Sequence, residues 1–184
     1  MSHIMSQLHL DHLNLSRLLN VLKDKLDRLK AGERPDYQLI LDVVTYIVDY
    51  ADAHHHPLED QIYDHAIAHY PDSQPVLEAV EQEHKVIRHD THEFQQLINS
   101  ILMDSIVSMD LFNQQLEDFI RQQYDHLNQE EGNVFPLLEK TLQNSDWQQL
   151  ESRLQHHDDP LFGEHVAQEY KRLYKSLTQS DAAA

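Results

Sequence analysis

Apolar residues recur at every third or fourth position through four long stretches of this 184-residue chain. In the first stretch the steps alternate between four and three residues along a strict series: Leu8, His12, Leu15, Leu19, Leu22, Leu26 and Leu29. This spacing is typical of a helix that presents one apolar seam to a bundle. The chain has only three glycines and six prolines, which argues against a turn-rich β fold. We therefore predict an all-α protein built as a four-helix bundle.

Turn and capping residues divide the chain into four predicted bundle helices, covering about residues 2–31, 36–70, 73–101 and 109–141. Gly32 is expected to end the first helix. The candidate N-caps of the other three are Asp36, Ser73 and Ser108. Pro57 should kink or loosen the second helix, and Pro136 falls late in the fourth. Because the connections are short, we expect antiparallel neighbours in up-down-up-down order.

Residues 143–184 are predicted to be a short helical extension of the same domain, following a bundle of residues 1–142. Trp147, Leu150 and Leu154 mark one amphipathic piece, and a second is predicted over residues 161–177. Both are expected to pack on the bundle, where they would cover one of its faces or form the seam of a homodimer. Residues 180–184 are expected to fray.

The composition excludes several classes of function. With 32 acidic and 14 basic residues the formal net charge is -18, so the surface repels nucleic acids and anionic membranes, and neither is an expected partner. The absence of cysteine excludes disulfides, thiolate metal sites and iron–sulfur clusters. No signal peptide and no apolar run of about 20 residues are visible. We therefore expect a cytoplasmic protein.

Six polar residues occupy predicted core positions of the four helices: His12, His55, Glu59, His84, His126 and Glu130. The arrangement repeats, because in each half of the chain a histidine is followed 43 or 42 residues later by a His-x-x-x-Glu motif. The four-residue spacing places the histidine and glutamate of each motif on one helix face. Two helix pairs therefore present matching ligand sets, as a site for two metal ions requires.

The two core glutamates also argue for a metal. An unpaired carboxylate in an apolar core costs several kcal/mol or must bind a proton. The predicted seams contain no lysine or arginine to pair with Glu59 and Glu130. Two divalent cations would supply four positive charges, against three negative charges from the glutamates and one bridging hydroxide. Imidazole and carboxylate donors suit iron and, less selectively, manganese or zinc.

Other polar residues leave alternatives open near this set. His9 lies one turn before His12 and could replace it or orient another ligand. Asp60 and Glu131 directly follow the two glutamates, and each could accept a hydrogen bond from a ligand imidazole or be a solvated surface residue. Tyr50 could reach the site, although no spacing requires it.

The remaining histidines are interpreted without a role in metal binding. His54 and His56 flank His55 and should point away from it by about 100° each. Tyr124, like Tyr50, could reach the site without being required there. The other histidines are expected on helix flanks or at the surface: His65, His69, His89, His92, His156, His157 and His165.

Taken in order, the motifs resemble those of a known family. They read LDH at 10–12, HHPLED at 55–60, EH at 83–84 and HLNQEE at 126–131, with VFP at 134–136. Over about residues 8–140 this set resembles the hemerythrin-like, or HHE cation-binding, domain. The resemblance implies a non-haem di-iron site with an Fe–O–Fe or hydroxo bridge, in which carboxylates bridge the metals and histidines fill the outer positions. Carried over by position, the ligands are His12, His55, Glu59, His84, His126 and Glu130.

The resemblance also bears on function. Oxygen-carrying hemerythrins have a further histidine one turn before the position of His84, where this chain has Val80. Four histidines and two carboxylates match hemerythrin-like proteins concerned with iron, nitric oxide or oxidative stress. We expect a protein that binds O2, NO or peroxide in a redox or iron-homeostasis role, rather than a dedicated enzyme.

Two other functions remain open from the sequence. A ferritin-like carboxylate oxidase or ferroxidase would use two Glu-x-x-His motifs. Glu81-x-x-His84 fits one and Asp52-x-x-His55 approximates the other, but histidines stand where the remaining carboxylates are needed. A non-catalytic acidic helical protein that binds a partner is the second alternative, and it predicts no tightly held metal.

Overall fold

The computed structural model describes residues 2–154 and 158–181, with side chains up to residue 178. Within these residues the chain forms six helices and no strand. Four of them make the bundle: α1 (His3–Lys30), α2 (37–69), α3 (Gln74–Leu102) and α4 (109–141). Two follow it: α5 (Asn144–Arg153) and α6 (Lys171–Asp181). The prediction of an all-α four-helix bundle with a helical extension is confirmed.

Capping residues set most of the helix ends. Ser2, Asp36 and Ser108 cap α1, α2 and α4 by accepting a hydrogen bond from the backbone N–H three residues later. Gly32 follows α1 with a positive φ of 89°, a conformation that favours glycine. The side chain of Ser73 forms no such cap before α3, which is instead preceded by a 3-10 turn over Pro71–Ser73.

Helices α2 and α4 each contain a π-helical segment. In α2, α-helix over Tyr37–Tyr46 and His56–His69 flanks a π segment at Ile47–His55. In α4, Met109–Gln129 and Phe135–Thr141 flank a π segment at Glu130–Val134. The backbone N–H groups of His56 and Phe135 each bond to the carbonyl five residues earlier. Each π segment ends two residues before a proline, Pro57 or Pro136, because the proline lacks the N–H that a regular helix would use.

A polar layer divides the core into two apolar clusters. One cluster joins the lower half of α1 (Leu15 onward) to α2, α3, α4 and the C-terminal extension through Leu161, Tyr170 and Leu173. The other contains the start of α1 (Leu8 and before) and the far ends of α2 and α4. The predicted metal ligands belong to neither cluster. They therefore occupy one level of the bundle, with apolar packing on both sides.

The C-terminal extension packs on the bundle through both clusters. Trp147 and Leu150 of α5 join the second cluster, and Tyr170 and Leu173 join the first. The boundaries of this extension as a part of the same domain remain a prediction.

The predicted second helix of the extension begins too early. Residues 161–167 form turns, and α6 starts at Lys171 after a 3-10 turn over Gln168–Tyr170. Asp159 causes the turn, because its side chain accepts hydrogen bonds from the backbone N–H groups of Leu161 and Phe162. Gly163 is required there, since a Cβ atom at this position would lie 2.4 Å from the Asp159 carbonyl oxygen.

Among the described residues, none of the helices is both long enough and apolar enough to cross a membrane.

Candidate metal centre

The six predicted ligands lie together in the core, on all four bundle helices. None is more than 3% exposed: His12 3%, His55 2%, Glu59 0%, His84 1%, His126 1% and Glu130 0%. Charged and polar groups are rarely buried this completely unless they are paired or bind metal. The apolar seam of each helix therefore carries its polar residue to the same point.

Glu130 lies between three of the histidines. Its Oε2 atom is 3.2 Å from Nε2 of His12 and 3.2 Å from Nε2 of His126. Its Oε1 atom is 3.2 Å from Nε2 of His84. One carboxylate thus reaches imidazoles from α1, α3 and α4.

Glu59 faces the same group from the opposite helix. Its Oε1 atom lies 3.3 Å from Nε2 of His55 and 3.5 Å from Nε2 of His12. Its Oε2 atom lies 3.6 Å from Nε2 of His84. The two carboxylates therefore each span several histidines, as bridging ligands of two adjacent ions must.

The ligand atoms form two overlapping groups. In each group the candidate atoms all lie within 4.8 Å of one another. One group contains His12, His55, Glu59 and Glu130; the other contains His56, Glu59, His84 and His126. Glu59 belongs to both, so the two positions are neighbours that share a carboxylate.

His56 is a correction to the sequence analysis. It was expected to point away from the site, but it is only 1% exposed and stacks on His84 with ring centroids 4.5 Å apart. Its ring also lies 5.3 Å from that of His126. The π segment that ends at His55 changes the helical register, so that two consecutive histidines face the core. The candidate set therefore has five histidines and two glutamates.

A carboxylate faces the Nδ1 atom of each of these histidines. The pairs are His12–Glu131 at 2.9 Å, His55–Asp11 at 3.1 Å, His56–Asp52 at 3.2 Å, His84–Asp60 at 2.7 Å and His126–Glu83 at 3.7 Å. At His12, His55 and His84 this contact is a hydrogen bond, which fixes the tautomer and orientation of the ring and directs its Nε2 lone pair towards a metal. Of the two alternatives left open for Asp60 and Glu131, the structure favours the first, because these carboxylates hydrogen-bond to His84 and His12.

One tyrosine at the site, Tyr63, was not predicted, whereas Tyr50 had been named as a residue that could reach it. The Tyr63 hydroxyl donates a 2.8 Å hydrogen bond to Oε1 of Glu130. The Tyr50 hydroxyl donates to Asp11 at 3.3 Å, so Tyr50 touches the site only through the partner of His55. Tyr63 stands one turn beyond Glu59 on α2, and this spacing is the signal that could have identified it.

His9 and Tyr124 take no direct part in the ligand groups. His9 pairs with Glu131 at 2.8 Å, on the outer side of the carboxylate that also faces His12. The Tyr124 hydroxyl donates to Asn20 at 2.8 Å, away from the centre.

The buried donor atoms fit a metal ion. Within the described part of the chain, both carboxylate oxygens of Glu59, Oε2 of Glu130 and both ring nitrogens of His126 have no hydrogen-bond partner. Leaving such atoms unpaired in an apolar interior costs several kcal/mol. All three residues belong to the groups whose candidate ligand atoms converge within 4.8 Å. Imidazole nitrogen with carboxylate oxygen is a donor set that transition metals accept.

The electrostatics of the core favour positive charge at most of these rings. Burial opposes protonation of His55, but Glu59 and Asp11 outweigh it and raise its pKa to about 9. Burial likewise opposes protonation of His84, and the hydrogen bonds to Asp60 and Glu130 raise its pKa to about 10. The carboxylates thus create a potential that attracts cations.

His56 behaves differently from its neighbours. Burial, together with the nearby rings of His84 and His126, lowers the pKa of His56 well below its usual value. A neutral imidazole is the form that binds a metal. This ring is therefore held in the ligating state without losing a proton.

One comparison with known proteins identifies the fold family. The family model of the hemerythrin HHE cation binding domain matches residues 3–138. The chain belongs to the hemerythrin HHE family. No curated protein and no solved structure gives a significant match to the chain. The matched range includes every candidate ligand of this hemerythrin domain and ends within α4, and membership implies that the chain binds a cation.

The remaining histidines of the hemerythrin chain are mostly exposed, as predicted: His69, His89, His92 and His165. Besides His56, one more histidine departs from the prediction. His65 is buried, so the interpretation of this residue as a surface histidine is wrong. Its Nε2 lies 3.1 Å from Asp146 of α5, to which Tyr70 also donates a 2.6 Å hydrogen bond. This contact fixes α5 to the bundle. His156 and His157 lie outside the described residues.

Proposed function

We propose that this hemerythrin domain binds two iron ions and uses them to handle O2, nitric oxide or peroxide. The observation that carries the proposal is the pair of overlapping ligand groups that share Glu59. A single ion would leave the buried donor atoms of one group without a metal ion to bind. Manganese or zinc could occupy the same donors, because neither imidazole nor carboxylate selects strictly for iron.

In this proposal the histidines divide between the two ions. His12 and His55 hold one ion, and a second is held by three rings: His56, His84 and His126. Glu59 and Glu130 bridge the pair, supported by their reach across several Nε2 atoms. Carboxylates also face the outer nitrogens of all five rings, and their negative charge favours the binding of cations at the centre.

Both ions would keep room for an external ligand. Four protein residues would donate to the ion at His12 and His55. Five would donate to the ion at His56, His84 and His126 if Glu130 binds both ions. An octahedral ion accepts six ligands, so the position with two histidines is the more open. Bound iron would supply one-electron redox chemistry and would coordinate a small diatomic molecule or peroxide.

The chain's own residues shape the environment of that ligand. Phe135 is fully buried and stacks on His12 with ring centroids 4.9 Å apart. Tyr63, also fully buried, fixes Glu130 through its hydroxyl. Together they exclude water on one side of the centre and hold a bridging carboxylate in place. A role in redox stress or iron homeostasis is consistent with such a site.

Metal content and spectroscopy test this function. Protein loaded anaerobically with ferrous iron should retain two ions per chain after desalting. Exposure to O2 or peroxide should produce new ligand-to-metal charge-transfer absorption, and NO should produce a distinct nitrosyl spectrum. The variant His165→Ala removes an exposed histidine and should behave as wild type.

Other outcomes would favour the alternatives. Two ions that promote rapid ferrous oxidation and release ferric iron would indicate a ferroxidase. The absence of tight metal would contradict the proposal and favour a partner-binding helical protein.

A further inference from the structure

The metal centre lies out of direct reach of soluble electron donors. Its ligand residues are at most 3% exposed, and apolar clusters pack on both sides. The proposed function, on which this inference rests, oxidises the metal pair whenever peroxide is reduced. Two electrons must then return from outside for each peroxide consumed. The interior must therefore contain a route for electrons.

Such a route begins at His55. Nδ1 of His55 lies 3.1 Å from Oδ2 of Asp11, whose other oxygen accepts a 3.3 Å hydrogen bond from the hydroxyl of Tyr50. Tyr50 is thus joined to a candidate metal ligand through one carboxylate. Its side chain is almost fully buried, at 3% exposure.

Two further tyrosines continue the route away from the metals. The ring of Tyr46 stacks on Tyr50, with centroids 5.6 Å apart and an interplanar angle of 22°. On its other side Tyr46 meets Tyr170 edge-on, again with centroids 5.6 Å apart. Rings at these distances allow rapid electron hopping, because electronic coupling decays steeply with separation and no gap intervenes.

Each phenol in this series donates to an aspartate. Besides Tyr50, Tyr46 donates to Asp159 at 2.9 Å, and Tyr170 donates to Asp49 at 2.6 Å. Oxidation of a phenol releases its proton, so a hydrogen-bonded carboxylate lowers the barrier by accepting it. Burial raises the pKa of all three phenols, so none loses its proton before an electron leaves.

The outer end of the series lies at the edge of the protein. Tyr170 itself is only 5% exposed, but its partner Asp49 is exposed, as are the following Lys171 and Arg172. Asp49 comes from the π segment of α2, whereas Tyr170 comes from the C-terminal extension. The extension therefore completes a path that the bundle alone would leave unfinished.

We propose that Tyr50, Tyr46 and Tyr170 form an electron-transfer chain that links the His55 side of the metal centre to the surface beside Asp49. Excess peroxide takes the metal pair beyond the ferric state, and Tyr50 then gives the pair an electron while its phenol proton moves to Asp11. Tyr46 then reduces the Tyr50 radical, which recovers its proton from Asp11.

The remaining steps repeat this exchange and balance. When Tyr46 loses an electron, its phenol proton moves to Asp159. The proton returns to Tyr46 when Tyr170 supplies an electron. Tyr170 shifts its proton to Asp49 and recovers it when a one-electron donor, such as ascorbate, reduces the radical at the surface. Each passage moves one electron from the donor to the metal pair and leaves all three phenols unchanged.

Tyr63 offers an internal comparison. It donates to Glu130 and lies nearer the candidate ligands, with its ring 6.0 Å from that of His84. Among the described ring contacts it meets no other tyrosine. A radical formed at Tyr63 would therefore stay at the centre, whereas one formed at Tyr50 could reach Tyr170.

Radical trapping on the iron-loaded chain tests the proposal. The protein is treated with excess hydrogen peroxide, without reductant, in the presence of a nitroso spin trap, and the adducts are located by peptide mass spectrometry. We expect an adduct at Tyr170 in the wild type. Tyr46→Phe keeps the ring packing but removes an oxidisable phenol, so it should lose the Tyr170 adduct and retain radical signal at Tyr50.

The matched control is Tyr70→Phe, which removes another tyrosine–aspartate bond that fixes the C-terminal extension, outside the proposed chain. It should leave the Tyr170 adduct unchanged. Iron content and the melting temperature of each variant are measured in parallel. If Tyr46→Phe unfolds, Tyr50→Phe, which removes the phenol nearest His55 but keeps its ring, should lose the Tyr170 adduct instead, and a surviving adduct would overturn the chain.

The outcomes separate this proposal from the one on which it rests. Failure to bind iron, or iron that peroxide does not oxidise, would overturn both. Iron that peroxide does oxidise, with adducts confined to Tyr63 or with a Tyr170 adduct that survives in Tyr46→Phe, would overturn the electron-transfer chain alone. In that case the three tyrosine–aspartate bonds serve only to satisfy buried hydroxyl groups.

Discussion

The two positions of the metal centre differ in how many histidines face them. The first position is faced by His12, His55 and both glutamates. The second is faced by three histidines and Glu59. At that second position His56 and His84 stack with centroids 4.5 Å apart, compared with 4.9 Å for the tilted pair of His12 and His55. The additional histidine, His56, directly follows the π segment of α2, whereas the π segment of α4 begins only after His126, so the two halves differ in where their irregular turns fall.

In the proposed two-metal site, this difference would give the two positions separate tasks. Three imidazoles would saturate an ion more fully and hold it as the structural member of the pair. The position with two histidines would keep more open coordination for an external ligand. It also lies beside Asp11 and Tyr50, through which electrons are proposed to arrive.

The largest effect is expected from Glu59, which both positions share. Glu59→Ala should reduce the metal content from two ions to one or none, because a charged ligand of each position disappears. Elemental analysis after desalting measures this. Glu93→Ala, on the exposed side of α3, is the control and should retain two ions. Retention of two tight ions by Glu59→Ala would remove Glu59 as a bridge.

Single histidine replacements should separate the two positions. His56→Leu and His12→Leu should each lose one ion, because each removes a ligand from only one position. Ferrous titration monitored by absorption would show one remaining binding event in both variants. His92→Leu alters an exposed residue on α3 and serves as the control. Two ions bound with wild-type affinity in His56→Leu would show that this buried ring is structural.

The carboxylates at the Nδ1 atoms should have smaller, position-specific effects. Asp60→Asn and Asp11→Asn are expected to weaken metal affinity by about 10- to 100-fold, because each leaves a ligand ring less firmly oriented. The first acts on His84 and the second on His55. Competition with a chelator measures both, with the exposed Asp64→Asn as control. Equal weakening of both ions by either variant would contradict separate positions.

The smallest effect is expected from Tyr63, which holds only one of the two bridging carboxylates. Tyr63→Phe removes the hydrogen bond to Glu130 and should lower the free energy of unfolding by about 1 kcal/mol. Metal content should remain at two ions, while the charge-transfer bands shift. Urea unfolding and visible spectroscopy check this. Loss of an ion would mean that Glu130 cannot bind without its tyrosine.

Sequence patterns predicted the bundle because its helices each bury one continuous stripe. The regular steps of α1 and the caps at Asp36 and Ser108 follow from local chemistry that needs no knowledge of neighbours. The same periodicity brought His12 and His84 to the core. Local rules were therefore sufficient for the fold and for six of the seven candidate ligands.

The parts that were missed depend on irregular or distant structure. His56 was excluded because a regular helix turns by about 100° per residue, and only the π segment before Pro57 brings it inward. The role of Asp11 depends on which histidine of another helix faces it. The turn at Asp159, which delays α6, likewise arises from side-chain capping rather than from periodicity.

A crystal structure of the iron-loaded chain, with anomalous scattering recorded at the iron edge, tests the central claim most directly. We predict two anomalous peaks bridged by Glu59, with His12 and His55 on one side and His56, His84 and His126 on the other. A single peak, or two peaks with His56 turned away from both, would contradict this arrangement of the centre.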